Sequence, residues 1–99
     1  MLKGFWRVVL IVMGLLGGST LALQAQIDTQ RVISVGQNAI YFKDYVLAIQ
    51  YFNSAIQSAP YLAEPYYYRG LSKYSLDDYL GAEADSSAAI ERNPFLSRN

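Results

Sequence analysis

Few side chains in this 99-residue chain have the type and spacing to do chemistry. Asp77 and Asp78 form an adjacent carboxylate pair, the kind that general acid–base catalysis or a hard cation would use. Lys43-Asp44 stands at the matching place earlier in the chain, so the pair reads as a turn whose second residue caps a helix. Glu83, Asp85 and Glu91 lack metal-ligand spacing and read as a solvated helix face. Ser72-Lys73 lacks the three-residue offset that would bring a hydroxyl and an amine onto one helix face. There is no histidine and no cysteine, which removes the commonest general base, the usual transition-metal ligands and the thiol nucleophile. The expectation is a protein that is not an enzyme and carries neither cofactor nor metal.

The tyrosines say more. All nine fall between Tyr41 and Tyr79. In Tyr66-Tyr67-Tyr68 successive side chains point roughly 100° apart on a helix, so one core cannot take all three. Tyr67, Leu71 and Tyr74 share one face at offsets of four and three. Such a stripe offers large contact area and a hydroxyl handle with little entropy to lose, which suits recognition of a peptide or a protein segment. The competing reading is that these rings cover a neighbouring helix. Charge excludes another class of ligand. Without residues 1–25, the eight basic side chains lose Lys3 and Arg7, leaving six against eight acidic ones, a net charge of −2. No basic stripe is present, and nucleic acid is not an expected partner.

The elements that must position these side chains repeat at a fixed step. One constant shift carries Gly36 to Gly70, Asp44 to Asp78, Tyr45 to Tyr79 and Ala48 to Ala82. The same shift carries Ala55 to Ala89, Ile56 to Ile90, Pro60 to Pro94 and Leu62 to Leu96. Residues 29–62 and 63–96 align without a gap. A period of about 34 marks stacked helix-turn-helix units that cannot bury their apolar faces singly. Helix one is expected from about Gln30 to Phe42, capped by Asp28 or Thr29, with Val32, Val35, Ala39 and Phe42 inward. Helix two runs from Tyr45 to about Ala59, burying Ala48, Ile49, Phe52, Ala55 and Ile56 until Pro60 stops it. Helix three spans about Glu64 to Ser75 and helix four Tyr79 to about Arg92.

Ahead of these lies a different segment. Lys3 and Arg7 give a positive start, Val8 to Leu16 is an apolar or glycine run, and Gly17-Gly18-Ser19-Thr20 follows. Small residues at Ala22 and Ala25 then suit cleavage, so residues 1–25 read as an export signal. The alternative is an uncleaved anchor, although Val8 to Leu23 is shorter than the roughly 20 residues that span a bilayer. Without cysteine, neither a disulfide nor a lipid-modified cysteine is available.

The repeated positions resemble the tetratricopeptide repeat family. Its pattern sets a large apolar residue, a leucine-glycine pair, an aromatic, a later alanine, a further aromatic four positions on, and a closing proline. The first unit supplies Val32, Val35-Gly36, Ala39, Ala48, Phe52 and Pro60; the second supplies Tyr66, Arg69-Gly70, Lys73, Ala82, Ser86 and Pro94. Arg69, Lys73 and Ser86 depart from it. Arg69 is expected to lay its stem along the core and put its head in water. In this family the first helix of each unit lines a concave groove. The resemblance therefore implies a groove built from Ile33, Gln37, Ile40 and Tyr41 of the first unit and Glu64, Tyr67, Leu71 and Tyr74 of the second. Members that bind acidic C-terminal tails use lysine, arginine and asparagine there, a set missing here.

The fold expected is all-α, an α-solenoid of two repeats (29–62 and 63–96) behind the apolar segment 1–25, with 97–99 beginning a further repeat. The function expected is a non-catalytic interaction scaffold, exported to the periplasm or outside the cell, or anchored at the inner membrane if residues 1–25 are retained. Alternatives are the N-terminal accessory region of a larger exported enzyme such as a peptidase, or a membrane-tethered assembly factor. Helix four keeps apolar surface that self-association or further repeats would cover.

Overall fold

The computed structural model of the chain describes the backbone of residues 2–98, and the side chains of these except 2, 3, 6, 9–19, 27 and 98. Lys3, most of the apolar run and Gly17-Gly18-Ser19 are therefore outside the described side chains, and Asn99 is outside the described residues. The described chain is all-helical: α1 (Leu2–Tyr41), α2 (Tyr45–Ser58), α3 (Ala63–Ser75), α4 (Tyr79–Arg92) and a short 3₁₀ turn, η1 (Pro94–Arg98). α1 packs along α2 and α3 along α4; α2 also packs on α3, so one hairpin lies against the other.

The backbone repeats bond by bond at the same step as the sequence. Lys43 and Asp77 both adopt left-handed conformations, with φ of 62° and 66°. Behind them, Lys43 N–H donates to Ile40 and Asp44 N–H to Ala39, and in the second hairpin Asp77 donates to Tyr74 and Asp78 to Lys73. This is the Schellman closure of a helix, twice over. The next residue starts the following helix. Asp44 accepts from the Leu47 N–H at 3.2 Å and Asp78 from the Gly81 N–H at 3.0 Å, each satisfying an orphan donor of the first turn. Both second helices then end alike, with Ala59 N–H on Ala55 and Asn93 N–H on Ala89.

Two expectations for helix one need correction. It does not begin at Gln30: α1 runs unbroken through residues 25–30. Thr29 does not cap. It is buried, and its hydroxyl donates to the Ala25 carbonyl at 2.9 Å. Asp28 accepts instead from the Gln24 amide at 3.2 Å. Leu21 to Gln30 holds neither proline nor glycine and is rich in good helix formers, so nothing there stops propagation. The buried stripe is also rotated. Ile33, Gly36 and Ala39 face inward, whereas Val35 and Phe42 are exposed. Gly36 sets this rotation because it must meet α2, and only positions three or four away share its face.

That contact is close. A Cβ on Gly36 would lie 2.7 Å from two ring atoms of Phe52. Phe52 is 0% exposed, and its ring stacks on Tyr68 of α3 at 5.7 Å between centroids. Ile33, Ala39, Ala48 and Ala55 complete this core. In the second hairpin, a Cβ on Gly70 would meet Asp85 and Ala82 atoms at 3.2 and 3.3 Å. Among the described residues, no helix is long and apolar enough to cross a membrane.

Candidate functional site

The second hairpin carries an ion cluster where the first carries uncharged side chains, and this determines how α3 presents its tyrosines. Asp85 is not on a solvated face: it is 4% exposed, beneath two cations of α3. Arg69 holds it through Nε and one terminal nitrogen of its guanidinium, at 2.8 and 2.6 Å, while the other terminal nitrogen donates to the Asn53 side chain at 2.9 Å. Lys73 adds a contact at 3.0 Å. The Arg69 head is thus engaged between helices rather than free in water. Burial alone would push the Asp85 carboxyl up, but hydrogen bonds from Arg69 and Lys73 outweigh it and hold the group below its ordinary value. The Arg69 guanidinium is correspondingly pushed up, chiefly by its hydrogen bonds to Asp85. Val35, Ala39 and Tyr51 hold the equivalent places in the first unit, so three uncharged side chains are exchanged for a matched charged set.

With Arg69 and Lys73 tied to α4, the opposite face of α3 is left to Tyr67, Leu71 and Tyr74, which are 43, 42 and 62% exposed. Tyr66 turns inward, as its place in the repeat requires. Its hydroxyl donates to the Pro60 carbonyl at 3.1 Å, and Arg92 lies over its ring at 4.1 Å while donating to the same carbonyl. Tyr67 packs edge-on against Tyr68, and Tyr74 against Tyr79. The Tyr79 hydroxyl donates to Asp77 at 3.0 Å, and this bond pushes its phenol up. Asp77 and Asp78 are accounted for by this bond and the cap. Among the described residues, no group of three or more carboxylates is arranged to hold a metal ion.

Tyr67 stands between two hollows. Gln37, Glu64 and Tyr67 line one of about 350 Å³, closed by Asn93 and Leu96 from the end of α4 and η1. Tyr67, Leu71 and Tyr74 line the next, about 280 Å³, floored by Gly70, Ala82 and Ser86. Five of the eight residues implied by the resemblance therefore come together. Three do not. Ile33 is 2% exposed and belongs to the core, because it shares the face of Gly36; it offers nothing to a ligand. Ile40 is half-buried against the same core. Tyr41 is 80% exposed at the end of α1, packed edge-on against Phe42 and lining neither hollow. Asn93 and Leu96 were legible only as the repeat counterparts of Ala59 and Leu62. A larger hollow, about 530 Å³, lies elsewhere, between the α1 extension and the end of α2. Comparison of the chain with protein-family models, with curated proteins and with solved structures gives no match.

Proposed function

We propose that the chain is a non-catalytic scaffold that holds a protein or peptide segment against the tyrosine face of α3. The observation that carries this is Tyr67, half-exposed between two adjoining hollows, with Gln37 and Glu64 on one side and Leu71 and Tyr74 on the other. Contiguous exposed aromatic surface rimmed by polar groups marks interaction sites. Gln37 supplies a donor and an acceptor, and Glu64 an acceptor, for an incoming main chain or side chain. On this reading the hairpins are two turns of an α-solenoid of the tetratricopeptide type, supported by the recurrence of turn, cap and helix end at one step. Residues 1–25 act as an export signal, placing the scaffold in the periplasm or outside the cell.

The test uses a photoreactive benzophenone amino acid at Tyr67 or Tyr74 and, as a control, at Tyr61, which is exposed but lines neither of these hollows. A discrete crosslinked partner from the first two sites alone, lost on Gln37→Ala with Glu64→Ala, is the expected result. Equal capture from Tyr61 would sink the proposal.

A further inference from the structure

The two hairpins differ at one buried place, and the difference leaves a socket. In the first, the Phe52 ring fills the space over Gly36, and α3 lies across it with Tyr68 stacked on that ring. In the second, a Cβ placed on Gly70 would meet Asp85 and Ala82 first, at 3.2 and 3.3 Å, and Ser86, which stands where the first hairpin has Phe52, offers only a hydroxyl oxygen at 3.6 Å. Among the described residues, no ring stands there as Phe52 stands over Gly36. What remains is the hollow of about 280 Å³, larger than the roughly 150 Å³ that accommodates benzene in a dry cavity.

From this equivalence we infer that the socket over Gly70 and Ser86 receives an aromatic side chain from an amphipathic helix of a partner protein. The helix lies on α3 and α4 as α3 itself lies on α1 and α2. The inference rests on the scaffold reading above and names the partner's chemistry. Two features favour a helix over other shapes. α3 meets α2 at Phe52, under the Tyr68 ring, and at Asn53, held by Arg69; the places on α4 that match Ile49, Phe52 and Ile56 are Glu83, Ser86 and Ile90, at the same three-and-four spacing. All three are exposed. A groove between two helices also offers no free strand edge for an extended chain to pair with. Glu83 on that face favours a lysine or arginine in the partner helix beside its ring. A second copy that meets the first through its own α4 fits less well. Beyond Tyr79, α4 carries no aromatic residue, so two copies meeting through α4 would leave both sockets empty.

The test is a fluorescence-anisotropy titration of the full chain with a stapled helical peptide of about 15 residues carrying one phenylalanine, one flanking lysine and an apolar stripe. The comparison peptide has alanine for the phenylalanine. The parent is expected to prefer the phenylalanine peptide by about tenfold or more, the effect of one buried anchor. Ser86→Phe fills the socket from within and should reduce that preference to about twofold or less, while raising the melting temperature. Ser86→Leu, a smaller filling, should do the same in lesser degree and serves if the phenylalanine is not accommodated. Absence of a preference in the parent, or one that survives both fillings, overturns the socket. So does a dimer, seen by sedimentation, that either filling dissolves, because the occupant would then be a second copy. If the peptide preference is absent but crosslinking from Tyr67 still captures its partner, the socket falls and the scaffold stands; loss of both removes both.

Discussion

Truncation of Phe52 to alanine should cost about 4 kcal/mol, within the roughly 3–5 kcal/mol seen when a buried ring is removed. Three features make this position so sensitive. The ring is fully buried, it occupies the space that Gly36 leaves, and it is the surface on which Tyr68 of the second hairpin stacks. Its loss empties the first hairpin and loosens the junction between the two. Neither helix can close in, because the Lys43 turn and the Asp44 cap hold their ends. Urea unfolding measures this as a lower midpoint at unchanged slope. Ser86→Ala at the equivalent place should change stability by no more than about 0.5 kcal/mol, since the hydroxyl is exposed and fills nothing. A Phe52→Ala cost below about 1 kcal/mol would mean that the ring is not a core element.

Asp85→Ala should be nearly as damaging, at about 3 kcal/mol, because it leaves Arg69 and Lys73 crowded against α4 without a counter-charge. Removing one member of a buried ion pair costs more than replacing the whole set. Arg69→Val, Lys73→Ala and Asp85→Tyr together, which copy the first hairpin, should therefore recover most of the loss. The same carboxylate gives stability a pH dependence of known sign. Its folded pKa lies below the ordinary carboxylate value of 3.8. The unfolded chain thus binds the proton more readily, and the contribution is complete above that value and disappears as pH falls through the lower, folded one. Urea midpoints of the parent should drop on acidification below about pH 4, and Asp85→Ala should lack that part of the drop. Equal acid sensitivity in both proteins would exclude Asp85 as its source.

Much of the fold is written in residues whose role is local. The recurrence of aspartate and proline at one step gives the caps and helix ends without any tertiary information, because each acts on its near neighbours in the chain, whereas the recurring glycines and alanines mark where the two helices of a hairpin meet. Pro60 and Pro94 stop helices wherever they are placed. The start of α1 was not legible in this way. Asp28 and Thr29 are capping residues by type, but capping needs a broken helix before them, and the intervening sequence propagates. The facing of α1 was ambiguous because Val32, Val35, Ala39 and Phe42 also fit a helical stripe; the close approach of Gly36 to Phe52 decides for Ile33 instead. Asp85 was misread for a related reason. A carboxylate on an otherwise polar helix looks solvated until Arg69 and Lys73, on the preceding helix, are seen to require it. The site suffered from both effects. Tyr67, Leu71 and Tyr74 follow from spacing alone, whereas Ile33, Ile40 and Tyr41 depended on the rotation and end of α1.

Thermal unfolding of one fourfold variant, Arg69→Val, Lys73→Ala, Asp85→Tyr and Ser86→Phe, measures the equivalence of the two hairpins most directly. It writes the first hairpin's packing residues into the second. If Gly70, Ala82 and Ala89 present the same surfaces as Gly36, Ala48 and Ala55, the variant melts cooperatively, at or above the parent's temperature, with the parent's helical signal. If its helicity falls or its transition broadens and shifts down, the second hairpin is not a copy of the first, and the socket and tyrosine face lose their basis.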